Sequence, residues 1–160
     1  MRKTIVTIAA VTLCPIIAAA QAPNAQRAAL LAIADSALAA ISRGDMPGLA
    51  EMMTPEARTM SVRAGDSVRY SIRTRDQYLT PSPQRKITER GFTGEVRVSG
   101  PLATVWLPYD LYIEGAWSHC GVDVFTLVQL NGKWKIASIA WTIEQPPACQ
   151  KHPDGPPRQM

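Results

Sequence analysis

The chain has 160 residues, 46% of them hydrophobic, with 17 Lys and Arg against 13 Asp and Glu and a formal net charge of +4. That length suffices for one domain with its own core. A charge balance this small gives no ground for nucleic acid or a charged membrane surface as partner.

Arg2 and Lys3 precede a stretch from Thr4 to Ala20 that carries no charge. Two cations, an apolar run and a small-residue exit form the pattern of a secretory signal, with cleavage expected near Ala20. Pro15 interrupts the run and the polar Gln21 follows it, so no stable membrane anchor is expected. Residues 1–20 therefore read as signal peptide, 21–145 as a single domain, and 146–160 as a Pro-rich, mostly disordered tail. The mature protein is expected in the periplasm or outside the cell. Without Arg2 and Lys3 its balance is 15 basic against 13 acidic residues. Cys14 leaves with the signal, and the two cysteines that remain, Cys120 and Cys149, favour a disulfide in an oxidising compartment.

Leu30, Leu31, Ala34, Ala37, Leu38 and Ile41 recur at spacings of three and four, which predicts a helix over 25–43. Gly44 fits its left-handed cap, and Asp45 can cap a short second helix, about 46–53, with Pro47 in the first turn. From Thr59 the period becomes two. Met60 and Val62, then Val68, Tyr70 and Ile72, alternate with polar residues and arginines, which predicts a β-hairpin with a cationic outer face. A short helix over 75–80 follows. Four strands come next, over about 86–99, 102–114, 117–130 and 133–144, with turns at Ser99-Gly100-Pro101, Gly115-Ala116 and Asn131-Gly132. Asn-Gly between two apolar strands is the strongest hairpin signal in the chain.

Helices first and an antiparallel sheet afterwards make an α+β domain. The order resembles the nuclear transport factor 2-like superfamily, which includes ketosteroid isomerase-like and SnoaL-like proteins. The resemblance rests on Ala39-Ala40-Ile41-Ser42-Arg43-Gly44-Asp45 with Leu49 and Met53. Its second half is the run from His119 to Leu127 followed by Asn131-Gly132-Lys133-Trp134-Lys135-Ile136. It implies a cystatin-like cone: helices packed in the concave face of a curved, mainly antiparallel sheet, a pocket at the wide end, and often a homodimer. Catalytic members use a buried Asp base with oxyanion donors, or a histidine assisted by an aspartate. No such set can be placed residue by residue here.

Two-residue turns at Gly115-Ala116 and Asn131-Gly132 would set the register. His119 then lies opposite Tyr112 and Glu144, Phe125 opposite Trp106, and Asp123 opposite Ala140. One face would carry Trp106, Asp110, Tyr112 and His119 together with Asp123, Phe125, Trp134 and Glu144. It is apolar near the Asn-Gly turn and polar at the far end, as a small-molecule site requires. Tyr112 and Glu144 would tune His119 as a general base; otherwise it is a buried histidine satisfied by hydrogen bonds. Asp123 shares its face but sits about 13 Å along the strand, so the two cannot form a direct dyad. Asp110 and Asp123 are either a carboxyl pair or two groups that each meet a donor. The opposite face is also apolar, with Val105, Leu107, Leu111, Val124, Ile139 and Trp141, and a twin subunit is its simplest cover. A β-bulge, for which Gly121 is a candidate, would reverse these faces downstream of it.

Nine cations between Arg58 and Arg97 read as a charged sheet edge that blocks aggregation, with an anionic-ligand site as the alternative. No phosphate loop, metal-ligand cluster or nucleophile elbow occurs, so no cofactor or metal is expected. Three functional readings remain. The first is a domain that binds a small apolar or amphipathic molecule, with Trp106, Asp110, Tyr112, Phe125, Trp134 and Glu144 as contacts. The second is an isomerase, dehydratase or cyclase that uses His119 or Asp123 for proton transfer. The third is a non-catalytic structural dimer.

Overall fold

The structure is a computed structural model that describes residues 18–80 and 85–157. Helix α1, Ala18–Arg43, is followed by α2, Met46–Glu51. The backbone of Ala18 to Ala20 already belongs to α1; the rest of the segment expected to be cleaved lies outside the described residues. Gly44 takes a φ of 70° and ends the first helix. Asp45 caps the second by accepting the Gly48 N–H at 2.9 Å.

Strand β1, Met53–Arg63, and β2, Arg69–Thr74, form the hairpin, and α3, Asp76–Leu79, turns the chain back. The long strand expected over 86–99 is two strands, β3, Ile87–Gly91, and β4, Glu95–Ser99. They are split at Thr93, whose φ is 51°, and both pair with β5, Leu102–Ile113. Strands β6, Ala116–Leu130, and β7, Lys133–Ile143, complete a sheet ordered β2-β1-β7-β6-β5-β3, with β4 beside β5. Its pairings are antiparallel except β1 with β7. The sheet curves around α1, which supplies Leu30, Ala34, Ala37 and Leu38 to the core. Alanine at two of these positions lets the helix approach the strands closely. Val105, Leu107, Phe125, Leu127, Ile136 and Ile139 meet it from the concave face.

Two one-residue bulges set which residues those are. The β5–β6 turn is Glu114-Gly115, both with positive φ (51° and 77°), not Gly115-Ala116. Tyr112 pairs with Trp117, but Leu111 pairs with His119, so Ser118 is an extra residue. In the next hairpin Leu127 pairs with Ile136 and Thr126 with Ser138, so Ala137 is extra. Misplacing the turn moved the expected register by two and left the faces unchanged; the bulge at Ser118 reverses them. His119 therefore faces Leu111, not Tyr112, and Phe125 faces Val105, not Trp106. Asp123 pairs with Trp141 instead of Ala140, and Glu144 bridges Cys120. Val105, Leu107, Leu111, Ile139 and Trp141 thus turn inward, and most of the second apolar face disappears. The candidate bulge at Gly121 is a gap in the β6–β7 ladder. The Val122 N–H there donates to Thr142 Oγ1, and a Cβ on Gly121 would run into the Thr142 carbonyl.

Disorder beyond Cys149 was the expectation; the structure instead lays Gln145–Pro157 over the outer face of the sheet. Cys120 and Cys149 are joined, with Cα atoms 5.7 Å apart. Asp110, fully buried on that outer face, accepts Arg90 Nε at 3.0 Å, Arg90 Nη2 at 2.6 Å and the His152 N–H at 3.1 Å. Arg90 Nη2 also donates to the Gly155 carbonyl at 2.8 Å. Lys151 lies 4.4 Å from the Trp117 ring centre, and the His152 ring meets Phe92 edge-on. Removing one partner of such a buried pair leaves an uncompensated charge. Arg90→Met is therefore expected to destabilise the protein by roughly 3 kcal/mol in urea unfolding. A loss below about 1 kcal/mol would show that the tail is not clamped this way.

Candidate functional site

The register places residues in rows across the concave face, with strands about 4.8 Å apart. One row runs Arg73, Thr59, Ile139, Phe125, Val105, and the next Ser71, Ser61, Trp141, Asp123, Leu107. Arg69, Arg63 and Ile143 continue toward the wide end of the cone, where Tyr109 lies opposite Gly121. Beyond them Glu89, Leu111 and His119 share a row. Between these side chains and the helices lies a cavity of about 200 Å³. Leu38 and Ile41 of α1, Leu49 of α2 and Tyr78 of α3 close one side of it; Ile139, Trp141 and Ile143 form the sheet side. Asp123, His119 and Glu89 are its acid–base groups, and Arg73 stands at its edge.

Asp123 is 2% exposed, and its Oδ2 has no hydrogen-bond partner. Burial, and then the charge of Glu89, push its carboxyl well above the usual carboxylate range. Burial also pushes the half-buried Glu89 up to about 7. Glu89 is held in place because its N–H donates to Ser42 Oγ, at the end of α1, at 3.0 Å. His119 Nδ1 lies 2.9 Å from Ser118 Oγ, and its buried Nε2 has no partner. Burial and then the Arg63 guanidinium lower the pKa of the imidazole. Tyr109 packs edge-on against the His119 ring, with centroids 5.8 Å apart, and donates its O–H to the Thr142 carbonyl at 2.7 Å. Burial, then Asp123 and Glu89, raise the Tyr109 phenol, so it stays protonated and orients the ring beside it.

The cavity thus holds a carboxylic acid that favours its neutral form and a histidine that favours its neutral form. Asp123 can donate a hydrogen bond, and the free His119 nitrogen can accept or donate one according to tautomer. Among the described residues no group of three or more His, Cys, Asp or Glu is placed to hold a metal ion.

Of the residues expected at the site, the structure brings only His119 and Asp123 to the cavity. Phe125 is fully buried in the core, and Trp134 packs at the core's margin. Trp106, Asp110, Tyr112 and Glu144 lie on the outer face, because the bulges at Ser118 and Ala137 reverse the alternation. Asp110 is consumed by Arg90, and the idea of an Asp110–Asp123 pair falls, since the two side chains point to opposite sides of the sheet. Trp106, 52% exposed, and Glu144 line a wider outer cleft of about 610 Å³ beneath the tail. That cleft is larger, but among the described residues the two buried polar atoms without partners both belong to the inner cavity.

Glu89 went unnoticed in the sequence, where it reads as one charge of a solvated edge. Its signal was alternation: it shares a face with Ile87, and an acid on an apolar face is unusual. The arginines were also turned the wrong way. Arg63, Arg69 and Arg73 share the concave face with Thr59, while Tyr70 and Ile72, 69% and 50% exposed, point outward.

No protein-family profile and no curated protein matches the chain in sequence. Solved structures do match in shape. A proposed beta subunit of an aromatic-ring-hydroxylating dioxygenase from Novosphingobium aromaticivorans superposes with a TM-score of 0.67 at 6% identity, over 78% of this chain and 92% of that one. A nuclear transport factor 2-like protein with a cystatin-like fold, from the same organism, gives 0.58 at 12%, over 78% and 86%. This chain has the nuclear transport factor 2-like, cystatin-like fold. A proposed dehydratase of the nuclear transport factor 2-like family from Streptomyces avermitilis gives 0.56 at 17%, over 76% and 97%. Identities this low establish the fold alone, and such folds host many unrelated functions.

Glu89 generates a pH dependence. Its carboxyl titrates near 4.5 when unfolded and near 7 when folded. Folding therefore takes up a proton between these values, and stability falls as the pH rises through that window. Near pH 4 both Glu89 and a glutamine in its place are neutral, so wild type and Glu89→Gln are expected to be about equally stable. Above about pH 7 the variant is expected to be the more stable, as read by thermal unfolding across pH. Parallel curves for the two proteins would contradict the burial of this carboxyl.

Proposed function

We propose that this is an exported domain that binds a small, mostly apolar molecule in the concave cavity, holding its polar atoms with Asp123 and His119. The observation that carries this reading is the pair of buried, unpartnered atoms, Asp123 Oδ2 and His119 Nε2, on one cavity. Buried polar groups are almost always hydrogen-bonded, and leaving one unsatisfied costs about 1–3 kcal/mol. A ligand that supplies an acceptor to one and a partner to the other recovers that cost. Export is supported by the apolar N-terminal segment and by the Cys120–Cys149 disulfide. A homodimer remains part of the proposal. Its support is now narrower: exposed Trp106 and Leu102 on the outer face, beside Val122 and Val124.

A second reading, proton-transfer catalysis of isomerase, dehydratase or cyclase type, rests on one further feature. The carboxyls of the cavity are shifted up and its imidazole down, and environments that push such groups toward each other's range suit acid–base work near neutrality. In that reading Asp123 is the acid and His119 the base, and the reacting molecule spans the distance between them.

Asp123→Leu separates a binding group from a structural one. If Asp123 is kept for a ligand, replacing it with an apolar residue of similar size is expected to raise stability by about 1 kcal/mol. The same change is expected to abolish any small-molecule adduct retained by the mature protein in native mass spectrometry. A large loss of stability with the adduct retained would mark Asp123 as structural and overturn the assignment.

A further inference from the structure

The hairpin β1–β2 is built inside out. An edge hairpin protected against aggregation presents its charges to solvent. Here Met60, Val62, Tyr70 and Ile72 take the outer side, and Arg63, Arg69 and Arg73, though exposed to solvent, take the side of the cavity. Among the described residues the ion pairs are Arg43–Asp45, Arg75–Asp76, Arg90–Asp110 and His152–Asp154, so none of the three concave-face arginines has a carboxylate partner. Arg73 lines the cavity. Arg63 pairs with Ile143, whose side chain lines the cavity, and itself lines an adjoining pocket with Ile143 and Glu144. Its charge is felt at both His119 and Tyr109.

We propose that Arg63, Arg69 and Arg73 form an anion-recognising wall at the mouth of the cavity, and that the ligand is a small organic acid. Its carboxylate meets the guanidiniums while its apolar body lies against Ile139 and Trp141. This rests on the reading of the cavity as a small-molecule site and adds the class of molecule. Guanidinium presents paired N–H donors that match a carboxylate in two parallel hydrogen bonds. The cavity of about 200 Å³ is only a little larger than the roughly 150 Å³ void that admits benzene, so the body is about one ring with short substituents. A phosphate dianion fits less well. Glu89 and Asp123 line the same cavity, and each added ligand charge increases the repulsion once they ionise.

Three one-ring probes test this on the mature, disulfide-bonded protein: phenylacetate, its isosteric neutral amide phenylacetamide, and phenyl phosphate, titrated by ligand-observed NMR. Phenylacetate is expected to bind about tenfold or more tighter than the neutral amide, with the preference shrinking as salt is added. In the triple variant Arg63→Gln, Arg69→Gln, Arg73→Gln that preference is expected to collapse to within about threefold. Ile139→Trp, which fills the cavity, is expected to weaken both phenylacetate and the amide. Equal binding of acid and amide to the wild type would overturn the anion wall and leave the cavity reading intact. A preference that survives in the triple variant, or tighter binding of phenyl phosphate than of phenylacetate, would overturn the assignment of arginines or of ligand class. Acid binding unaffected by Ile139→Trp would place it outside the cavity and also overturn the proposal. Binding of none of the three would overturn it together with a cavity for one-ring ligands.

Discussion

Side chains along a strand alternate between the two faces of a sheet, so one extra residue reverses every position beyond it. Ser118 in β6 and Ala137 in β7 are such residues, and the rest of the molecule depends on them. With both in place, Val105, Leu107, Phe125 and Ile139 meet the small face of α1 around Ala34 and Ala37. The same two steps send Trp106, Asp110 and Tyr112 to the outside, where the tail bonds to Asp110. They also bring His119, Asp123, Ile143 and Trp141 to a single side, leaving a space that the helices do not fill.

Two buried aspartates show how differently the two faces use polar groups. Asp110 is saturated: a two-point contact with Arg90 and the His152 N–H hold the tail down, and the Cys120–Cys149 bond adds a covalent tie. Asp123, just as deeply buried, has an oxygen with no partner at all. The first is what a structural carboxylate looks like. The second persists against a cost of about 1–3 kcal/mol, and a folded protein carries such an atom most simply because something else completes it. The unpartnered arginines on the same concave face extend that contrast. On one face the buried carboxylate is closed by a guanidinium; on the other a buried carboxyl is left open, beside arginines that have no carboxylate partner.

Much of the architecture was legible because it depends on local chemistry. The three-and-four spacing of Leu30 to Ile41, the Gly44-Asp45 link and the Asn131-Gly132 turn each state their geometry in a few residues and give an α+β domain; the cone came from the family resemblance that some of them carry. The bulges do not. Neither Ser118 nor Ala137 is a glycine or a proline, and nothing in the alternation around them announces an extra residue. The face assignments therefore failed beyond them: Trp106, Asp110, Tyr112 and Glu144 left the site for the outer face, Phe125 went to the core and Trp134 to its margin, and His119 and Asp123 stayed. The second helix was expected to run to about 53; in fact β1 starts at Met53 and runs through an irregular stretch, where the missing N–H of Pro55 is tolerated. Glu89 and the arginines were visible as charges, but their direction depends on long-range pairing of β3 with β5 and of β1 with β7, which no short window contains.

The protonation state of Asp123 tests the central claim most directly: that a dry, unpartnered carboxyl is held open on the concave cavity. A ¹³C NMR titration of the side-chain carboxyl carbons in the folded, ligand-free protein reads it. The prediction is that Asp123 remains protonated at pH values where the exposed aspartates are fully ionised, titrating well above 3.8. Titration near 3.8 would mean that water or an unrecognised donor already satisfies it, and the case for a ligand at this site would be contradicted.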